Sequence, residues 1–204
     1  MTRTAVLLAA ALMPTLSAAA EPPKRPNVIV ILTDDMGYAD LGCYGSPDIR
    51  TPHIDGLAKA GVRFTNFYSN GPVCTPTRAG LMTGRWQQRV GLEWAIFPGQ
   101  KEPGLAVAEN SLSRLLKDAG YATGCFGKWH LGYKPEYGPN AHGFDEYFGL
   151  LSGNVDHYSK KEINGEADWY ENTKPVDPPG YSTDLITDRA VAFIERHAKR
   201  PFFA

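Results

Sequence analysis

Three short stretches of this chain carry side chains whose types and spacing suit chemistry. The first is Asp34-Asp35, directly after the apolar run of residues 28–32. Adjacent carboxylates repel and are costly to desolvate unless something positive lies between them. An all-oxygen pair suits a hard divalent cation such as Ca²⁺ or Mg²⁺, and a turn at Gly37 would aim both into one crevice; a solvated loop or a helix cap accounts for the pair equally well. The second stretch is Cys74-Thr75-Pro76-Thr77-Arg78. With Pro76 in the first turn of a helix, Cys74 falls at the helix start, where unpaired N–H groups and the dipole favour negative charge. Arg78 is then one turn along the same face, about 6 Å away along the axis. That pairing would lower a thiol pKa or hold an anion beside it; a structural cysteine with a surface arginine is the plainer alternative. The third is the run from Gly120 to Gly132, GYATGCFGKWHLG. If a strand delivers Lys128 and His130 to one side and Trp129 to the other, a fixed cation and a titratable imidazole stand together. Those are groups that an anionic ester and its leaving group require, and a strand end with a satisfied histidine also fits.

The elements that must position these residues alternate. Residues 28–32 are five apolar residues, four of them β-branched, and predict a strand buried on both faces. A helix is expected over 54–60, stopped by Gly61, then a second strand over 62–68 and a helix over 76–82. Residues 111–119 predict a helix capped by Asn110 and stopped by Gly120, followed by a strand over 121–126. Residues 133–181, rich in Pro, Gly, Asp and Tyr, read as long surface loops. The helical spacing of Leu185, Ile186, Ala190, Phe193, Ile194 and His197 predicts a helix over 183–199. Strands alternating with helices give an α/β fold with a largely parallel central sheet flanked by helices on both faces. Residues 201–204 open a further apolar strand, so the C-terminal part of the domain is expected to be absent, and residues 1–204 alone to be weakly active or inactive.

Whole-chain properties narrow the class. A net charge of -1, with 21% charged residues, supplies no long-range field for nucleic acid or an anionic membrane surface, so neither is an expected partner. Residues 1–20 combine Arg3, a short apolar run and Ala18-Ala19-Ala20, the pattern of a cleaved secretory signal leading to a periplasmic or secreted domain over 21–204. The apolar run is too short to span a bilayer. Three cysteines, Cys43, Cys74 and Cys125, permit at most one internal disulfide, and no Cys-x-x-Cys spacing supports redox chemistry. Trp86, Trp94, Phe97 and Trp169 suit a carbohydrate or aryl pocket, although packing is the commoner use of such residues.

Taken in order, the motifs resemble the type I sulfatases of the alkaline-phosphatase-like superfamily. The resemblance rests on Cys74-Thr75-Pro76-Thr77-Arg78 followed by Thr83-Gly84-Arg85, on GYATGCFGKWHLG, on VIVILTDDMGYADLGCYG and on Gly143-Phe144-Asp145-Glu146-Tyr147-Phe148-Gly149. It implies that a maturation enzyme oxidises Cys74 to formylglycine, whose hydrate attacks the sulfur of a sulfate ester and then releases sulfate. It implies that Asp34, Asp35 and modified Cys74 hold a divalent cation, usually Ca²⁺ with Mg²⁺ possible. Arg78 and Lys128 would hold the hydrate and the sulfate, and His130 would assist at the diol. The expected substrate is a sulfated small molecule or carbohydrate. Two rivals stand beside this reading: a phosphonate or phosphate ester hydrolase of the same superfamily, and a binding fragment without turnover.

Overall fold

The computed structural model describes residues 25–107 and 110–204; the expected secretory signal lies outside them. Helices α1 (Pro52–Ala60), α2 (Cys74–Thr83) and α3 (Leu112–Asp118) precede strand β1 (Ala122–Phe126). Strands β2 (Glu146–Gly149), β3 (Tyr170–Glu171) and β4 (Lys174–Pro175), helix α4 (Ser182–His197) and strand β5 (Phe202–Phe203) follow. The five strands form one sheet in the order β4-β3-β2-β1-β5. Central β1 pairs in parallel with β2, Gly124 opposite Glu146, and with β5, Ala122 opposite Phe202. The β2-β3-β4 edge is antiparallel.

Alternation along the strands gives each face its own helices. Cys125, Tyr147 and Phe203 join Ala79 and Met82 of α2 and Leu112 and Leu116 of α3 in one core. On the other face Ala122 and Phe202 pack on Phe193 of α4, and Phe126 and Phe148 meet Leu185 and Ile186. The expected α/β arrangement with helices on both faces is therefore present, on a mixed sheet.

Local chemistry explains the helix limits. Pro76 lies in the first turn of α2, where its missing N–H costs nothing. Gly84 closes the helix at φ 65°, returning its N–H to the Gly80 carbonyl. The cap of α3 is Ser111, which accepts the Arg114 N–H at 3.2 Å, and not Asn110, one residue too early.

Three expectations are corrected. Residues 28–32 do not form a buried strand: Val28 bridges Phe203 beside β5, while residues 29–32 are 41–77% exposed. A β-branched run signals a fit to a covered sheet surface, and among the described residues nothing covers this one. Residues 62–68 form no strand, and Val62, Phe64, Phe67 and Tyr68 are exposed. Residues 133–181 are not mainly surface loop, since they supply β2, β3 and β4 and bury Phe144, Tyr147, Phe148, Leu150, Leu151 and Trp169. Their Pro and Gly content marks turns correctly, but the aromatic residues between the turns are core anchors.

Candidate active site

Cys74 is the first residue of α2, and the residue before it, Val73, offers no side-chain cap. The leading N–H groups of the helix are thus available beside the cysteine side chain. Two neighbours brace this entry. Thr77 Oγ1 donates to the Gly71 carbonyl at 2.9 Å, and Asn70 Nδ2 donates to the Pro76 carbonyl at 3.0 Å and to Gln87 Oε1 at 2.9 Å. Arg78, one turn on, is half-buried and donates from Nη1 to the Lys128 carbonyl at 2.5 Å. Burial lowers its pKa, opposed chiefly by the charge of Asp34; a guanidinium remains a cation there. Loss of solvation pushes the Cys125 thiol up to about 12, so that cysteine stays neutral. All three cysteines are free.

β1 ends at Phe126, before Lys128 and His130, which lie in the irregular segment that follows it. That segment is clamped to the chain leaving β2, with Gly127 N–H donating to Phe148 O at 2.8 Å, Trp129 N–H to Leu150 O at 2.9 Å and His130 N–H to Leu151 O at 3.1 Å. Gly149, at φ 153°, permits this approach, because a Cβ there would sit 2.1 Å from the Gly127 carbonyl. Trp129 goes into the core and donates from Nε1 to Tyr137 O at 2.8 Å. Lys128 reaches the other way, its Nζ 3.0 and 3.2 Å from the two carboxylate oxygens of Asp34. The positive group expected beside the acidic pair is therefore Lys128. Asp35, held at φ 47°, is exposed and makes no hydrogen bond to the other site residues.

His130 is 3% exposed and sits at φ 58°, a left-handed conformation that persists only when the surroundings over-determine it. Its Nε2 lies 2.7 Å from the Ile96 carbonyl, and its own carbonyl accepts from Thr75 Oγ1 at 3.0 Å. Burial depresses its pKa to about 4, with Lys128 and Arg78 adding to the effect and the Ile96 bond and Asp34 opposing it. The ring is thus neutral at ordinary pH. It feels Lys128, Arg78 and Asp34, and Arg78 feels Asp34 and Cys74, so residues from all three stretches share one neighbourhood.

Sequence reasoning missed Thr75, Ile96, Asn70 and Gln87. Thr75 sits inside the cysteine signature, but its hydroxyl role depends on residues 21 and 55 positions away, which no local spacing reveals. Among the four aromatic residues, Trp169 is core, whereas Trp86, Trp94 and Phe97 are exposed, the last two flanking buried Ile96.

The arrangement can bind an anion between Arg78 and Lys128 with a neutral imidazole alongside. Among the described residues no three His, Cys, Asp or Glu side chains converge as a metal cage. Asp34 and Asp35 fit a hard cation in kind, and two carboxylates are fewer than the six to eight oxygens that Ca²⁺ takes.

The family model described as Sulfatase matches residues 26–204. The chain is 38% identical over 205 residues to the N-acetylgalactosamine-6-sulfatase of Canis lupus familiaris, covering 91% of this chain and 39% of that protein. Among solved structures it resembles Ps i-CgsB in complex with k-i-k-neocarrahexaose, at TM-score 0.82 and 36% identity over 88% of this chain and 44% of that one. It also resembles BT4656 in complex with D-glucosamine-2-N,6-O-disulfate, at TM-score 0.72 and 33% identity over 88% of this chain and 33% of that one. Likeness to a phosphonate monoester hydrolase of Agrobacterium radiobacter, at TM-score 0.57 and 23% identity over 88% of this chain and 40% of that one, concerns the fold alone. The chain spans about two fifths of the curated relatives it matches. It belongs to the sulfatase family.

Proposed function

We propose that the protein containing this chain is a sulfuric ester hydrolase whose reactive group is made from Cys74. The carrying observation is the convergence of Cys74 at the start of α2, Arg78 one turn later, and Lys128 held over Asp34. Two fixed cations at a helix N-terminus favour a sulfate group and the negative charge that builds on its oxygens as the S–O bond breaks. Formylglycine at position 74 would supply a nucleophilic oxygen that is regenerated each turnover, and a divalent cation, Ca²⁺ or else Mg²⁺, would supply charge neutralisation. Asp34 and Asp35 would hold that cation together with the modified position 74. Arg78 and Lys128 orient the sulfate, and His130 stands as a neutral acceptor beside them.

A sulfated saccharide is the substrate class that best fits, since solved relatives carry saccharide ligands and Trp94 and Phe97 expose flat apolar faces next to Ile96. A maturation enzyme that oxidises Cys74 is the required partner. The leader pattern supports export to the periplasm or medium; among the described residues no helix is long and apolar enough to cross a membrane.

The test uses the protein at the full length its gene encodes, co-expressed with a formylglycine-generating enzyme. Mass analysis of the Cys74 peptide should show the aldehyde or its hydrate, and turnover of an aryl sulfate should exceed that of an aryl phosphonate. A free thiol alone, under conditions that convert a control sulfatase, would sink the nucleophile assignment, and faster phosphonate turnover would favour the rival hydrolase.

A further inference from the structure

Thr75 lies beside the reactive position and is fully buried. Its hydroxyl closes a ring of three residues from three parts of the chain. Oγ1 donates to the His130 carbonyl at 3.0 Å and accepts the Ile96 N–H at 3.2 Å, while the Ile96 carbonyl stands 2.7 Å from His130 Nε2. A carbonyl oxygen can only accept, so Nε2 must carry the hydrogen and the lone pair of the neutral ring is on Nδ1. Nδ1 is buried and has no partner among the described residues. A buried, unsatisfied acceptor is costly in a folded protein, and the ring that carries it feels the charges of Lys128, Arg78 and Asp34. The Ile96 carbonyl at Nε2 holds the ring in this orientation. Gly153 backs the imidazole so closely that a Cβ there would lie 2.6 Å from Cε1 and 3.2 Å from Nδ1.

We infer that Thr75 is a positioning residue: through Ile96 it fixes His130 as the Nε2–H tautomer and leaves Nδ1 as the free acceptor of the ring. The Ile96 carbonyl alone would select this tautomer only while the 94–97 loop stayed in register. The Thr75 hydroxyl sets that register, because it grips the backbone of both partners. A proton taken up at Nδ1 gives an imidazolium whose Nε2–H remains on Ile96, so the ring accepts without reorienting. The inference deepens the sulfatase reading and rests on it for its kinetic part only.

The experiment compares wild type, Thr75→Ser and Thr75→Val in the matured protein at the full length its gene encodes, with rates normalised to the aldehyde content of the Cys74 peptide. Thr75→Val keeps the shape and removes both hydroxyl bonds, so kcat should fall at least about tenfold, as expected when an acid–base group loses its orientation, with KM within about twofold. Thr75→Ser should restore kcat to within about twofold of wild type. Nitrogen-15 NMR of the His130 ring should show Nε2–H in wild type and Thr75→Ser, and a mixture of tautomers in Thr75→Val. A Thr75→Val protein with unchanged kcat at equal aldehyde content would overturn the inference. So would a wild-type His130 carrying its hydrogen on Nδ1, a measurement that stands even where the valine protein does not fold. A wild type that hydrolyses no sulfate ester, yet shows the expected tautomer, defeats the functional reading and leaves the Thr75 arrangement standing.

Discussion

At the scale of single residues, Lys128 and His130 illustrate opposite balances of charge and burial. Lys128 holds Asp34 in an ion pair whose carboxylate side is 52% exposed, so the pair adds little to stability. Its cation is available for a bound anion. Lys128→Gln should therefore lower kcat/KM for a sulfate ester about 100-fold, as loss of one fixed donor does in other active sites. The melting temperature should stay nearly constant; a large fall in it with unchanged kcat/KM would assign Lys128 a structural role instead. His130 is the reverse case, a buried neutral ring whose pKa drops from 6.5 to about 4. In that window the unfolded state binds more protons than the folded state, so stability falls as pH is lowered from about 6.5 to about 4. The cost is on the order of 3 kcal/mol at full effect. Burial depresses His142 in the same direction, so the contribution is read by difference. Denaturation of wild type and His130→Gln at pH 7 and pH 4.5 should show a smaller pH effect in the variant. Equal pH effects would place the proton uptake elsewhere.

At the scale of elements, the cap of α3 ties the helix to the segment that carries the core aromatics. Ser111 Oγ accepts the Arg114 N–H and also lies 2.5 Å from the His142 carbonyl, to which Ser113 Oγ donates at 2.6 Å. Ser111→Ala should cost about 1–2 kcal/mol, since it removes a cap as well as a buried bond. Ser113→Ala removes only one of two donors to the same carbonyl and should cost less. Thermal unfolding of both variants decides this, and equal shifts would refute the capping account. The elements legible in the sequence were those with local causes: α1, α2, α3 and α4 each appear within one or two residues of the expected limits, because apolar spacing, Pro76 and the closing glycines act locally. The cysteine signature likewise placed Cys74 and Arg78 correctly on α2. What was not legible depends on distant partners. The run at 28–32 carries the composition of a buried strand without a neighbour on its outer side, and the Thr75–Ile96–His130 ring joins residues that no periodicity connects. Residues 133–181 read as loop because turn formers dominate the composition, although Tyr147, Phe148 and Trp169 between the turns are 1–3% exposed.

At the scale of the whole molecule, two of the corrected segments carry a common consequence. Ile29, Val30, Ile31 and Leu32 are 41–77% exposed, and Val62, Phe64, Phe67 and Tyr68 are 61–81% exposed. Val28 and Val30 bond to Phe202 and Ala204 along β5, which in an extended segment turns the amides of the intervening residues outward. An open backbone edge beside exposed apolar side chains is a template for pairing with another chain. The net charge of -1 offers no long-range repulsion against such pairing. Residues 25–204 expressed by themselves should therefore associate in a concentration-dependent manner, measured as molar mass by light scattering after size exclusion. Ile31→Lys combined with Phe67→Lys should shift the population toward monomer without changing the far-ultraviolet circular dichroism, because neither side chain belongs to the core. If the unsubstituted chain remains monomeric throughout the micromolar range, the exposed face is not adhesive and the edge argument fails. If it associates but the double substitution leaves the mass unchanged, the contact lies on another surface. Dispersal by the two lysines would identify the exposed apolar segments 29–32 and 62–68 as the adhesive surface elements.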